Sequence, residues 1–163
     1  VLEVWAHGAD GPVFVREYPI VGASGGPGPK LREGDLQVPE GIYAIDALNP
    51  NSAFHLSLRV DYPNAFDRQQ AAADGRSNLG GDIFVHGGRA SIGCLAMGDE
   101  AIEELFVLCA EAGLGNIEVI IAPCDLREGR KLPEGLPVAW AEGLYRQIAA
   151  ALEPFRREEQ AGQ

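Results

Sequence analysis

No apolar stretch in this 163-residue chain approaches the roughly 18 to 20 residues needed to cross a bilayer as a helix; the longest are short runs such as Ile117 to Ala122. No helical membrane span is expected. Clustered positive charge is missing too: 13 basic residues lie scattered among 24 acidic ones, giving a net charge of −11 and a pI near 4.6. Phosphate binding needs concentrated Lys and Arg, so nucleic acid is excluded as a partner. Cysteine is scarce, with three residues, and an odd count leaves at least one thiol unpaired. No two of His7, His55, His86 and Cys94 show the close paired spacing of a structural zinc site, so no metal centre is expected. The chain starts at Val1 without a basic-then-apolar export signal, which reads as a processed or trimmed chain. With no internal repeat and no second domain in evidence, one domain is expected over residues 1–155, followed by a polar, fraying tail over 156–163.

The composition, 46% hydrophobic and 23% charged, suits a normal globular core. Val4 to Ala6 and Val13 to Ile20, around Ala9-Asp10-Gly11-Pro12, read as a β-hairpin. Gly22 to Lys30 is too rich in Gly and Pro for regular structure and reads as a mobile surface loop able to rim a site. Gln37 to Ile45 reads as a tight turn followed by a strand. In Phe54-His55-Leu56-Ser57-Leu58, alternation places His55 and Ser57 on the face opposite Phe54, Leu56 and Leu58. Asp61 to Asp82 reads as a loop with at most a short helix near Phe66 to Ala73, and Ile83 to Val85 as a short strand. Asp99 to Ala112 has helical apolar spacing, with Asp99 as N-cap and Gly113 as the stop. Ile117 to Ala122 reads as a buried strand and Val138 to Leu152 as an amphipathic helix. Strands outnumber helices without alternating regularly with them, so the fold class is α+β and β-rich.

Val85-His86-Gly87-Gly88-Arg89-Ala90-Ser91-Ile92-Gly93-Cys94-Leu95-Ala96-Met97 brings a histidine and a cysteine onto one glycine-punctuated stretch. A thiol is a weak nucleophile until a base or positive field makes it a thiolate, so Cys94 and His86 form a candidate nucleophile and base. Backbone amides at Gly93 and Cys94 are candidate oxyanion donors. Ser91 is suited to orient the loop or touch substrate, and Gly87 and Gly88 permit a bend after His86. The bland alternative is that His and Cys are simply packed. His55 alone reads more readily as a satisfied strand histidine. Cys109 and Cys124 read first as small buried hydrophobes, with a disulfide between them as the alternative.

His86-Gly87-Gly88 followed by Ser91-Ile92-Gly93-Cys94-Leu95-Ala96-Met97 resembles the active-site motif of the YkuD-type L,D-transpeptidase catalytic domain family. Gln37-Val38-Pro39-Glu40-Gly41-Ile42-Tyr43 resembles its Pro-x-Gly-x-aromatic strand, with Tyr43 at the aromatic position. Ile92 stands where the family usually has a histidine, Ala96 where it usually has an arginine, and the His-to-Cys gap is short. These departures resemble the YafK-like branch, as do His55-Leu56-Ser57 and Pro63-Asn64-Ala65.

The resemblance implies packed β-sheets in a sandwich or barrel with peripheral helices, and no cofactor. It implies an L,D-transpeptidase-like cysteine acyl-transferase of the cell envelope acting on peptidoglycan stem peptides. Cys94 would attack the carbonyl at the L-centre of a diaminopimelate-type residue to form a thioester, with His86 as base and then acid. Gly93, Ser91, Gly87, Gly88, His55 and Tyr43 would support the oxyanion or line the substrate site. An amine acceptor gives a crosslink or protein attachment; water gives hydrolysis, as in an amidase that releases wall-linked protein. The contrasting class is a wall-binding module without turnover.

Overall fold

A computed structural model describes residues 1–127 and 131–157. Strands β1 (Leu2–Gly8) and β2 (Gly11–Tyr18) form an antiparallel hairpin. The main sheet contains β3 (Gly41–Ser52), β4 (His55–Val60), β5 (Phe84–His86), β6 (Leu95–Ala96) and β7 (Glu118–Ile121), in the order β6-β5-β4-β3-β7. Helices α1 (Ala65–Ala73), α2 (Asp99–Ala112) and α3 (Ala141–Leu152) complete the α+β fold. Among the described strands only the β5–β6 pairing is parallel.

The core lies where sheet, hairpin and α2 meet. Ile45, Leu58, Val60 and Val85 from the sheet, Tyr18 from the hairpin, and Ile102 and Leu105 from α2 are buried together. A second cluster, Leu126, Leu144, Tyr145 and Ile148, sits around α3. Helix α1 begins with a reciprocal capping box: the Asn64 side chain accepts from the Asp67 N–H, and the Asp67 carboxylate accepts from the Asn64 N–H.

Several sequence expectations are corrected. Helix α2 is capped by Gly98, and Asp99 is its first residue. The sequence order alone puts Cys94 just before the helical pattern that starts at Asp99, whereas strand β6 intervenes between Cys94 and α2. Helix α3 starts at Ala141, three residues later than Val138. His55 takes φ 74 at the β3–β4 turn, which breaks the alternation: His55 is exposed, whereas Ser57 and Leu58 are both buried. All three cysteines are free thiols, and Cys124 is exposed rather than buried. The segment from Gly22 to Lys30 is irregular, as expected, but residues 28–30 are buried and Lys30 pairs with Asp35 at 2.6 Å. Arg157 ion-pairs with Glu3 and Glu17 and lies 4.2 Å from the Phe14 ring centroid, so this part of the expected tail is tied to the hairpin. The rest of that tail, residues 158–163, lies outside the described residues.

Among the described residues two carboxylates are buried. Glu40 is 4% exposed and accepts from the Tyr145 hydroxyl at 2.5 Å and from the Gly28 N–H at 3.1 Å. Asp67 accepts from the Tyr43 hydroxyl at 3.3 Å. Burial raises the Asp67 pKa from 3.8 to about 6, against the opposing pull of its hydrogen bonds from Asn64 and Tyr43. The folded state therefore holds a proton that the unfolded chain releases, and this group's contribution to stability falls as pH rises from about 4 to 6. Over that window the loss is up to about 3 kcal/mol. Urea unfolding at pH 4.5 and pH 7 checks this: Asp67→Asn should lose less stability on going to pH 7 than the unsubstituted protein does.

Candidate active site

The site is built from the loop joining β5 to β6. Parallel strands ordinarily need a crossover of a dozen or more residues; here residues 87–94 suffice. The compression rests on glycine: Gly88 has φ 66 and Gly93 has φ 103, a region closed to most side chains. At Gly87 a Cβ would come within 2.6 Å of the Phe54 carbonyl oxygen. The loop is closed by a 2.8 Å bond from the Gly88 N–H to Asp99 Oδ1 and a 2.9 Å bond from the Gly98 N–H to the Gly88 carbonyl. Asp99, expected as a helix cap, thus secures the loop that follows the histidine.

His86 ends β5 and is 2% exposed. Its Nδ1 lies 2.6 Å from the Gly87 carbonyl oxygen. A carbonyl only accepts, so the neutral ring carries its proton on Nδ1 and keeps the Nε2 lone pair for a proton. The Phe54 ring stacks on the imidazole with centroids 4.6 Å apart. Across the sheet Ser57 faces His86. The Gly87 N–H donates to the Leu56 carbonyl, which makes Ser57–His86 a non-hydrogen-bonded pair, the type with side chains closest together.

Cys94 is half-buried at the bend before β6, and its thiol donates to the Asp82 carbonyl at 3.7 Å. Burial pushes the thiol pKa up and the Asp82 charge adds to this, while the Phe84 amide and the Lys30 ammonium pull down. The resting sulfur is a thiol that needs a base. In the parallel register Cys94 stands one position before the Val85–Leu95 pair and His86 one position after it. Among the described residues no hydrogen bond joins them directly.

Both candidate oxyanion amides are already bonded: the Gly93 N–H donates to Ser24 Oγ at 2.6 Å, and the Cys94 N–H to Ser91 Oγ at 3.0 Å. Ser91 also donates to the Cys94 carbonyl at 2.5 Å, so its hydroxyl is bonded to both backbone groups of Cys94. The structure therefore gathers Cys94, His86, Gly93, Ser91, Gly87 and Gly88. It does not gather the other two. The His55 ring turns out to Glu103, with Nε2 at 2.7 Å, and Tyr43 is 4% exposed in the core, bonded to the Glu40 carbonyl and Asp67. Phe54 and Ser24 were missed by sequence reading. Phe54 gave no chemical signal as an apolar strand-edge residue, and Ser24 lies 69 positions from Gly93.

The profile of the L,D-transpeptidase catalytic domain (YkuD) matches residues 3–121. The chain belongs to that family. Within it, YafK of Escherichia coli (strain K12) is 38% identical over 111 residues, 65% of this chain and 43% of that protein. The chain thus spans less than half the length of that relative. Among solved structures, Bd1075 of Bdellovibrio bacteriovorus aligns with TM-score 0.51 and 24% identity, covering 73% of this chain and 42% of the other, a likeness of fold. The helical cell shape determining protein Pgp2 of Campylobacter jejuni aligns with TM-score 0.48 and 24% identity, covering 68% and 38%. YkuD membership supports a peptidoglycan-related role.

A raised thiol pKa sets the reactivity expected of this YkuD domain. Iodoacetamide should modify Cys94 slowly at pH 7, and the rate should climb through pH 9. Mass mapping of peptides separates Cys94 from Cys109 and Cys124; a rate that is already maximal at pH 6.5 contradicts the burial argument.

Proposed function

We propose that this YkuD domain is a cysteine acyl-transferase acting on peptidoglycan stem peptides outside the cytoplasm. The observation that carries the proposal is the placement of His86 at the end of β5 and of Cys94 at the bend directly before the adjacent strand β6, within a chain of this family. The substrate carbonyl, at the L-centre of a diaminopimelate-type residue, enters beside the Cys94 thiol. The Nε2 atom of His86 takes the thiol proton, directly as the thiol swings towards it or through one bridging water. The thiolate adds to the carbonyl carbon, and the oxygen becomes negative.

That oxygen competes with Ser91 Oγ for the Cys94 N–H. Collapse of the tetrahedral adduct breaks the C–N bond, and His86 returns its proton to the departing amine. A thioester on Cys94 remains. Attack by an acceptor amine completes transfer, and attack by water completes hydrolysis; in each case His86 removes the acceptor's proton and gives it to the sulfur.

Hydrolysis is the second reading, and Ala96 favours it. Its side chain is a fully buried methyl at 0% exposure, beside His86 in register and bridged to Gly22, so position 96 offers no charge to an incoming acceptor. Ile92, the other position that departs from the family pattern, is 78% exposed. Among the described residues no helix is long and apolar enough to cross a membrane.

Incubation with defined tetrapeptide muropeptides, with and without an amine acceptor, separates crosslinking, exchange and hydrolysis by product mass. Cys94→Ala should abolish all three and also the covalent adduct with a carbapenem, while its circular dichroism stays that of the parent. Muropeptide binding by the parent without adduct or turnover would instead make this a wall-binding module.

A further inference from the structure

The Gly93 amide is held by a residue from the other end of the chain. Ser24 Oγ accepts from the Gly93 N–H at 2.6 Å and donates its own proton to the Leu36 carbonyl at 2.7 Å. A serine hydroxyl has one proton, so once this is committed to Leu36 the lone pairs are fixed in direction, and one of them meets Gly93. Gly93, at φ 103, immediately precedes the nucleophile. Whatever fixes its peptide plane also fixes the direction from which Cys94 leaves the turn.

Ser24 is itself fixed by a strap over residues 21–28. At one end Val21 and Gly22 donate to the Ala96 carbonyl at 2.9 and 3.2 Å, and the Ala96 N–H donates back to Gly22 at 2.8 Å. At the other end the Gln37 amide spans the strap: Oε1 accepts from the Gly26 N–H at 3.1 Å, and Nε2 donates to the Gly26 and Gly28 carbonyls at 2.5 and 2.7 Å. Glu40 then accepts from the Gly28 N–H, and Tyr145 of α3 donates to Glu40. Beneath Ser24, Gly25, Gly26 and Pro27 lies a cavity of about 700 Å³ that extends to Leu58 and Val85. These hydrogen bonds at both of its ends fix the position of the strap.

We propose that Ser24 is a positioning residue for the Cys94 acyl-transfer site, acting through the Gly93 amide. This rests on the acyl-transfer reading above. Ser24 touches neither substrate nor reacting atoms; it holds the turn that aims the Cys94 sulfur and amide. The expected signature is a loss in the chemical step with little change in substrate binding, because the groups that would bind the stem peptide stay in place.

The test compares Ser24→Ala, Ser24→Thr and Gln37→Ala with the parent in carbapenem acylation kinetics and in the hydrogen exchange of the Gly93 amide followed by NMR. Ser24→Ala should lower the maximal acylation rate constant about tenfold, leave the half-saturating concentration within about twofold, and speed Gly93 exchange by a similar factor. Ser24→Thr, which keeps the hydroxyl, should restore both readouts to within about threefold, where loss of stability alone would not be rescued. Gln37→Ala, which frees the strap without touching the hydroxyl, should shift both in the same direction and guards against a Ser24→Ala chain that does not fold. A reactive parent matched in rate by Ser24→Ala overturns the role of Ser24 alone. A parent that neither forms the adduct nor processes muropeptides overturns the acyl-transfer reading, and this proposal with it.

Discussion

Two residues of parallel pairing hold the candidate site together. Val85 lies beside Leu95 and His86 beside Ala96, and the Met97 N–H closes the ladder on the His86 carbonyl at 2.8 Å. Everything between must turn back on itself in residues 87–94. So short a return forces positive φ at Gly88 and Gly93 and leaves no room for a Cβ at Gly87, and its polar backbone must be satisfied locally. That explains why Asp99, Ser91 and Ser24 each hold one amide of the loop. It also explains Ala96, whose strand is flanked by β5 on one side and by the Gly22 bridge on the other. A Cβ at Gly22 would already lie 3.3 Å from the Ala96 Cβ.

The pairing sorts the two faces of the strand. Val85 and Leu95 point into the apolar core, and His86 and Ala96 point the other way. His86 is nonetheless almost fully buried, covered by Phe54 and opposed by Ser57. A buried imidazole whose Nδ1–H is bound to a carbonyl is held in one tautomer, and the free Nε2 is the form a general base requires. The thiol needs that base, because burial favours its neutral form.

Much of this was legible in the sequence, for identifiable reasons. The hairpin, α2 and β7 follow from apolar spacing and turn residues within short windows, and the Cys94 and His86 pair stood out because both lie in one glycine-rich segment. Other readings failed where a distant contact outweighed a local preference. Asp99 has the chemistry of an N-cap, but Gly98 caps the helix and Asp99 binds Gly88 instead. The alternation that placed His55 beside Ser57 assumed a regular strand, and the positive φ at His55 turned its ring out to Glu103. Tyr43 matched a motif position, yet its hydroxyl serves the buried Glu40 and Asp67 groups in the core.

By itself, the sequence singled out Cys94 and His86 as the candidate pair and marked most of the strands, helices and turns, since side-chain type and periodicity act over a few residues. It also determined family membership through the spacing of His86, Gly93 and Cys94. Only the tertiary structure decided that Cys94 directly precedes a strand, that the two candidate oxyanion amides are engaged, and that a serine from residues 21–28 reaches the turn before the nucleophile. The reason is reach: a hydrogen bond between residues 69 positions apart leaves no trace in local composition, and it coexists with the bonds by which Gln37 and Glu40 clamp the strap.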